Sequence, residues 1–230
     1  MTLVKIIGGH GKVALLAAKQ LSQFPNVTVE SFIRKPEQQK DIEDVGAKPV
    51  IFDVTNSSPT ELQRQLQDAQ FVVWAAGAGG KGGPEATYKI DRDGAIAVVD
   101  ALKSSTTLKR FIIVSAIGTD FASVIGPEFP LYNYYQAKAA ADRHLAGSGI
   151  PYTILGPGAL SLDPPSGKID AKLSREETDL RTPINRSVSR ANVASVISTL
   201  ITNDEVQKHQ LNKTIEFLDG DVPIAEALTK

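Results

Sequence analysis

The feature that most constrains this chain is an alternation of two periods. Short β-branched runs recur between longer segments whose apolar residues fall at helical spacing, and this is the pattern of a parallel sheet covered by helices on both faces. Strands are expected at Leu3 to Ile7, Val27 to Ile33, Pro49 to Asp53, Phe71 to Ala75, Phe111 to Ser115 and Tyr152 to Leu155, with Thr214 to Leu218 closing one edge. Helices are expected at Lys12 to Phe24, Pro36 to Val45, Thr60 to Leu66, Pro84 to Leu102, Leu131 to Ser148 and Ser189 to Ile201, several of them opened by proline or a capping residue. The fold class that follows is α/β, a doubly wound and mostly parallel sheet of about seven strands. A chain of 230 residues hides roughly 70% of its unfolded surface, so residues 1–230 are read as one domain. Two segments break the rhythm. Ala76 to Gly83 is glycine-rich and lies between a strand and a helix, and Gly156 to Asn185 is long, charged and rich in Pro and Gly. The second is expected to form a substrate-side flap over residues 156–185.

After the first strand comes Gly8-Gly9-His10-Gly11-Lys12-Val13-Ala14, which then opens a helix. In that setting glycine allows a sharp turn and close approach of a pyrophosphate, the helix amino terminus offers free N–H groups, and the small Ala14 lets helix pack on strand. Gly8, Gly9, His10, Gly11, Lys12 and Val13 are therefore candidate contacts for a dinucleotide. An NAD site usually ends its second strand in an acidic residue, whereas this strand ends in Phe32-Ile33-Arg34-Lys35. Arg34, seconded by Lys35 or Lys12, suits a 2′-phosphate, so NADP(H) is expected in preference to NAD(H). Asp53 and Val54 end the third strand, where a carboxylate can receive the adenine amino group and an apolar neighbour can cover the ring.

Composition narrows the partners. A formal net charge of −1 gives no field to hold nucleic acid or an anionic membrane, and the absence of cysteine removes disulfides and thiolate metal sites. No signal-like segment and no long apolar run is present, so a cytoplasmic protein acting on a small molecule, as monomer or homodimer, is expected. His10, His144 and His209 are too scattered for a metal site.

Gly8 to Ala14, Asp53-Val54, Ala75 to Gly82, Tyr134-x-x-x-Lys138 and Leu155-Gly156-Pro157-Gly158 together resemble the atypical short-chain dehydrogenase/reductase family over nearly the whole chain. Within it the chain is similar to small NADP-binding proteins named as NAD-dependent epimerases, and to the NmrA-like and biliverdin-reductase-like proteins. The resemblance implies a Rossmann fold of strand order 3-2-1-4-5-6-7. It also implies that the loop from Ala75, Ala76 and Gly77 to Gly80 lines the ribose and nicotinamide side of the cofactor, and that Pro157 and Gly158 pass near the nicotinamide ring.

The same resemblance implies a catalytic tetrad in which a tyrosine protonates a carbonyl, a lysine lowers its pKa, and a serine and an asparagine complete the relay. Tyr134 and Lys138 are four apart on an expected helix and share a face. Ser115 ends its strand where the family's serine stands, and Lys138 also counts among the cofactor contacts. The chain departs from the pattern at Asp91, which stands where the family has asparagine. A plainer alternative is that Tyr132, Tyr134 and Tyr135 are aromatic packing at a helix start. The leading expectation is an NADP(H)-binding oxidoreductase or epimerase-like enzyme acting on a carbonyl-type substrate. The alternative is a non-catalytic NADP(H) redox sensor, NmrA-like, that docks a protein partner.

Overall fold

A computed structural model describes residues 1–183 and 185–229. In chain order the first half runs β1 (Thr2–Ile7), α1 (Lys12–Leu21), β2 (Val27–Ile33), α2 (Gln39–Asp44), β3 (Lys48–Ile51), α3 (Pro59–Leu66), β4 (Phe71–Trp74), α4 (Gly83–Thr87), α5 (Ala95–Leu102) and β5 (Arg110–Val114). The second half runs α6 (Tyr132–Ala146), β6 (Tyr152–Pro157), β7 (Ala159–Ser161), β8 (Lys168–Asp170), α7 (Arg175–Thr178), β9 (Ser187–Ser189), α8 (Arg190–Thr202), α9 (Asp204–His209), β10 (Lys213–Asp219), β11 (Val222–Pro223) and α10 (Ile224–Ala227).

The main sheet has the order β11-β8-β10-β6-β5-β4-β1-β2-β3. Its seven strands from β3 to β10 are parallel, in the 3-2-1-4-5-6-7 order implied by the resemblance. Thr214 to Leu218 does not close the edge, however. β10 is flanked by β8, which runs antiparallel to it, and β8 by β11. The segment Gly156 to Asn185 is correspondingly more structured than a flap, because it contributes β7, β8 and α7, with β7 pairing β9 in a separate two-stranded sheet.

Side chains alternate across the sheet as strands require. Val4, Ile6, Phe71, Val73 and Ile112 join α1 and α8 in one apolar layer, while Ile7, Val72, Trp74, Phe111 and Ile113 join α3, α5 and α6 in the other. Strands covered on both faces read as continuous apolar runs, and β4 is buried along its whole length. No helix among the described residues is long and apolar enough to cross a membrane.

The expected helix from Pro84 to Leu102 is interrupted. Between α4 and α5 the chain widens into a π-helical stretch, Tyr88–Gly94. Gly94 lies so close to the Trp74 ring that an added Cβ would sit 2.9 Å from it. Such widened turns often mark functional positions, and this one carries Asp91 to the carboxyl end of the sheet.

Candidate functional site

The strand order reverses between β1 and β4, and beyond the carboxyl ends of these strands lies a cleft of about 230 Å³. This is where doubly wound sheets bind ligands. Its walls include Gly8, His10, Gly11, Arg34 and the turn Ala75-Ala76-Gly77. Gly8 has φ +81°, and a Cβ there would stand 2.7 Å from the Ala76 backbone. The floor of the cleft therefore requires glycine. Gly11 caps α1 without a side-chain cap, so the first N–H groups of that helix have no intrahelical acceptor and remain available to a diphosphate. Apolar Val54, Phe52 and Ile90 complete the wall. The chemistry of this donor set fits a dinucleotide.

Several residues expected at this cleft take other roles. Gly9 donates its N–H to the Phe32 carbonyl at 2.9 Å and packs against Ser31, where a Cβ would clash at 2.7 Å. Glycine is needed there for loop-to-strand contact. The Val13 side chain belongs to the core, and exposed Lys12 stands outside the cleft wall, so neither side chain lines the cleft. Lys35 pairs with Glu37 at 3.7 Å instead of turning inward. Asp53 accepts hydrogen bonds from Thr55 N and Oγ1 and from Asn56 Nδ2, which fold its carboxylate into its own turn. These contacts outweigh the upward push of burial and, with Arg34, hold its pKa below the usual carboxylate value. His10 faces the cleft but is tied to Asp41 at 2.7 Å.

Beside the cleft, lined by the next residues along the chain at Ala78 and Asp91, is a second cavity of about 980 Å³. Tyr134, Ser115, Asp91, Pro157 and Gly158 all line it. Lys138 lies behind this wall, only 4% exposed, with its ammonium 3.2 Å from Asp91 Oδ1 and donating to the Val114 carbonyl at 3.0 Å. Asp91 Oδ2 also accepts the Ala78 N–H at 2.9 Å. One buried carboxylate thus fixes both the lysine and the glycine-rich loop. The Lys138 ammonium is 5.8 Å from the centre of the Tyr134 ring.

The electrostatics differ from the expected lowering of the tyrosine pKa. Burial pushes the Tyr134 phenol up; Lys138 pulls it back, but Asp91 and Asp142 add to the rise. The phenol consequently keeps its proton at neutral pH. For Lys138, burial acts downward but is outweighed, at neutral pH by the carboxylates of Asp91 and Asp142 and at high pH also by the Tyr134 phenolate, so its pKa is raised and the ammonium is retained. Ser115 Oγ donates to Asp142 Oδ2 at 2.6 Å, leaving its oxygen, not its proton, facing the cavity.

A cleft thus stands at the switch point with a second cavity beside it, and the sequence family described as NAD(P)H-binding matches residues 8–204. The chain belongs to that family. It is 32% identical over 232 residues to the Bacillus subtilis protein named uncharacterized sugar epimerase YhfK, covering 99% of each chain. Among solved structures, a Bacillus halodurans protein described as a candidate NAD-dependent epimerase/dehydratase superposes with TM-score 0.84 at 31% identity, over 99% of each chain. The oxidoreductase YlbE of Lactococcus lactis superposes with TM-score 0.78 at 31% identity, over 99% of this chain and 95% of that one. The chain is accordingly an NAD(P)-binding protein of oxidoreductase- or epimerase-like kind.

Sequence reasoning missed Asp142. It lies one turn beyond Lys138 on α6 and two beyond Tyr134, so the i, i+4, i+8 spacing was the available signal. Burial raises its carboxyl to about 6, against the Ser115 hydrogen bond and Lys138. A carboxyl whose folded pKa lies above its unfolded value adds stability that is complete below the unfolded pKa and is lost as pH rises through the folded one. The unfavourable window therefore opens between pH 3.8 and about 6. Asp142→Asn keeps an acceptor for Ser115 and removes the charge; it should stabilise the protein by about 1–3 kcal/mol at pH 8 and hardly at all at pH 4. Urea denaturation at the two pH values checks this, and an equal effect at both would refute the buried-charge account.

Proposed function

We propose that this chain is an NADP(H)-dependent oxidoreductase or epimerase-like enzyme acting on a small carbonyl-type substrate. What supports the reading is the convergence of Tyr134, Ser115 and Asp91 on one cavity beside the cleft. The α1 amino terminus and Gly8 would receive the diphosphate, and Arg34 the 2′-phosphate. Ala75 to Gly77, Pro157 and Gly158 would border the ribose and nicotinamide. When bound, the nicotinamide supplies or accepts a hydride. The Tyr134 phenol donates a proton to the carbonyl oxygen, and the Lys138 ammonium, held by Asp91, steadies the phenolate that remains. Ser115, whose proton is held by Asp142, presents an acceptor oxygen to the hydroxyl that forms. The setting that goes with this reading is the cytoplasm, with the chain acting as monomer or homodimer. No feature among the described residues favours the regulatory reading over this one.

The NADP preference rests on Arg34, which lines the cleft at the end of β2 where no acid stands. Calorimetric titration with NADPH, NADP+, NADH and NAD+ should give tighter binding of the phosphorylated pair. Arg34→Glu should weaken that pair by about 1–3 kcal/mol and leave NADH nearly unchanged, since a charge-assisted contact becomes a repulsion. The single tryptophan, Trp74, ends β4 immediately before the Ala75 turn, so quenching of its emission by reduced cofactor provides a second readout. Equal affinities for the four nucleotides, unaffected by the substitution, would overturn the preference.

A further inference from the structure

The cavity beyond the cofactor cleft has a composition that selects among carbonyl compounds. One wall is a run of aromatic rings packed edge to face: Phe129 and Tyr135 are 6.1 Å apart at 67°, and Tyr135 and Tyr134 are 5.4 Å apart at 78°. Leu160 and Leu180 also line it. At about 980 Å³, open at its mouth, it has the size of a small-molecule site. Leu131 lines the same cavity with its side chain 65% exposed and its backbone at φ +69°. A bulky residue in the left-handed region is strained, and here the strain displays an apolar side chain to solvent.

Several polar side chains of the cavity are engaged with the protein, while Tyr132, Tyr134, Tyr135 and Asn185 add further polar groups to its lining. Ser115 donates to Asp142, Asn133 Oδ1 accepts from the Tyr88 hydroxyl, and Thr87 donates to the Gly83 carbonyl. Asp91 is taken up by Lys138 and Ala78. Among the described lining residues the cation is Arg186, whose guanidinium donates to the backbone carbonyls of Glu177, Thr182, Glu176 and Asp179. A sugar brings several hydroxyls that each need a partner, and a nucleotide diphosphate needs cationic or amide donors. The cation among the described lining residues is already committed to backbone carbonyls, so a diphosphate meets no spare cationic side chain here, whereas a flat ring system matches the aromatic face.

We propose that the substrate is a planar, apolar carbonyl compound of about two or three fused rings, without phosphate, in place of a sugar nucleotide. The proposal rests on the oxidoreductase reading above. The hydride from reduced cofactor would go to the carbonyl carbon and the Tyr134 proton to its oxygen, giving the alcohol and oxidised cofactor, with Tyr134 regaining its proton from water.

Binding tests this independently of turnover. The full chain saturated with NADP+ is titrated by calorimetry and saturation-transfer NMR with 2-acetonaphthone, 9-fluorenone and UDP-glucose. The ketones should bind at least roughly tenfold more tightly than UDP-glucose, and Leu131→Asp should weaken them by roughly tenfold while NADP+ affinity stays unchanged. UDP-glucose binding as tightly as the ketones, ketone binding indifferent to Leu131→Asp, or no ketone binding by protein that holds NADP+ would each overturn the substrate class. Failure to take up NADP+ in the same titrations would instead overturn the oxidoreductase reading, and this proposal with it.

Discussion

Asp91→Ala should destabilise the protein by about 3–5 kcal/mol, because removing one partner of a buried ion pair leaves the other charge without compensation. Asp91 is 2% exposed and the Lys138 side chain 4%, so water cannot take the carboxylate's place without the surrounding structure opening. The same substitution removes the acceptor of the Ala78 N–H, which should loosen the glycine-rich loop beside the cofactor cleft. Asp91→Asn separates these effects. It can keep an acceptor for Ala78 and a dipole towards Lys138 while removing the charge, so its loss should be smaller than that of alanine. Urea denaturation of the three proteins measures the order. If alanine costs less than about 1 kcal/mol, the range of a solvated surface pair, the buried-pair account is wrong. Tyr134 lies beside this pair, and Asp91 contributes to the rise of its pKa. Either variant should therefore lower the pH at which the phenol ionises, which difference absorbance of the tyrosines would follow.

Gly8→Ala should cost about 2–5 kcal/mol and remove cofactor binding. Two physical terms act together: a non-glycine residue at φ +81° is strained, and its Cβ would meet the Ala76 Cα and N, both at 2.7 Å. Those atoms are backbone of the turn that leaves β4, so relief requires β1 and β4 to separate at the floor of the cleft. Gly79→Ala is the contrast. It has φ +61° with nothing within 4 Å, leaving backbone strain alone, about 1–2 kcal/mol. Thermal unfolding with and without NADPH distinguishes the two, since a protein that no longer binds the cofactor gains no stability from it. Stabilisation of Gly8→Ala by NADPH equal to that of the unaltered protein would show that the close approach is not needed.

The layers of the fold were legible because strand and helix periods are local properties. Every parallel strand from β1 to β6 lies within a residue or two of an apolar run visible in the sequence. The antiparallel pieces β8 and β11 were not legible. They are short, three and two residues, and exist because an open sheet edge offers unpaired backbone groups to whatever chain passes alongside, β10 to β8 and β8 in turn to β11. The helical interruption at Tyr88–Gly94 was hidden for a similar reason: Pro84 to Leu102 keeps helical spacing, and the close approach of Gly94 to the Trp74 ring belongs to the packing of helix on sheet.

The turn at Gly8 and Gly11, the amino terminus of α1 and the cation Arg34 follow from residue type and position along the chain, and the sequence by itself determined them, together with the parallel α/β architecture. Tertiary structure decided which groups remain available to a ligand. Ser115 is committed to Asp142 across 27 residues of sequence, and Lys138 to Asp91 across the helix–helix contact of α6 with the π stretch. Gly9 and Asp53 were drawn into backbone and turn hydrogen bonds. The physical reason is that hydrogen-bond satisfaction and burial are properties of partners brought together by folding. A sequence shows where donors and acceptors lie along the chain, but their pairing in the interior is settled only once the sheet and its helices are assembled.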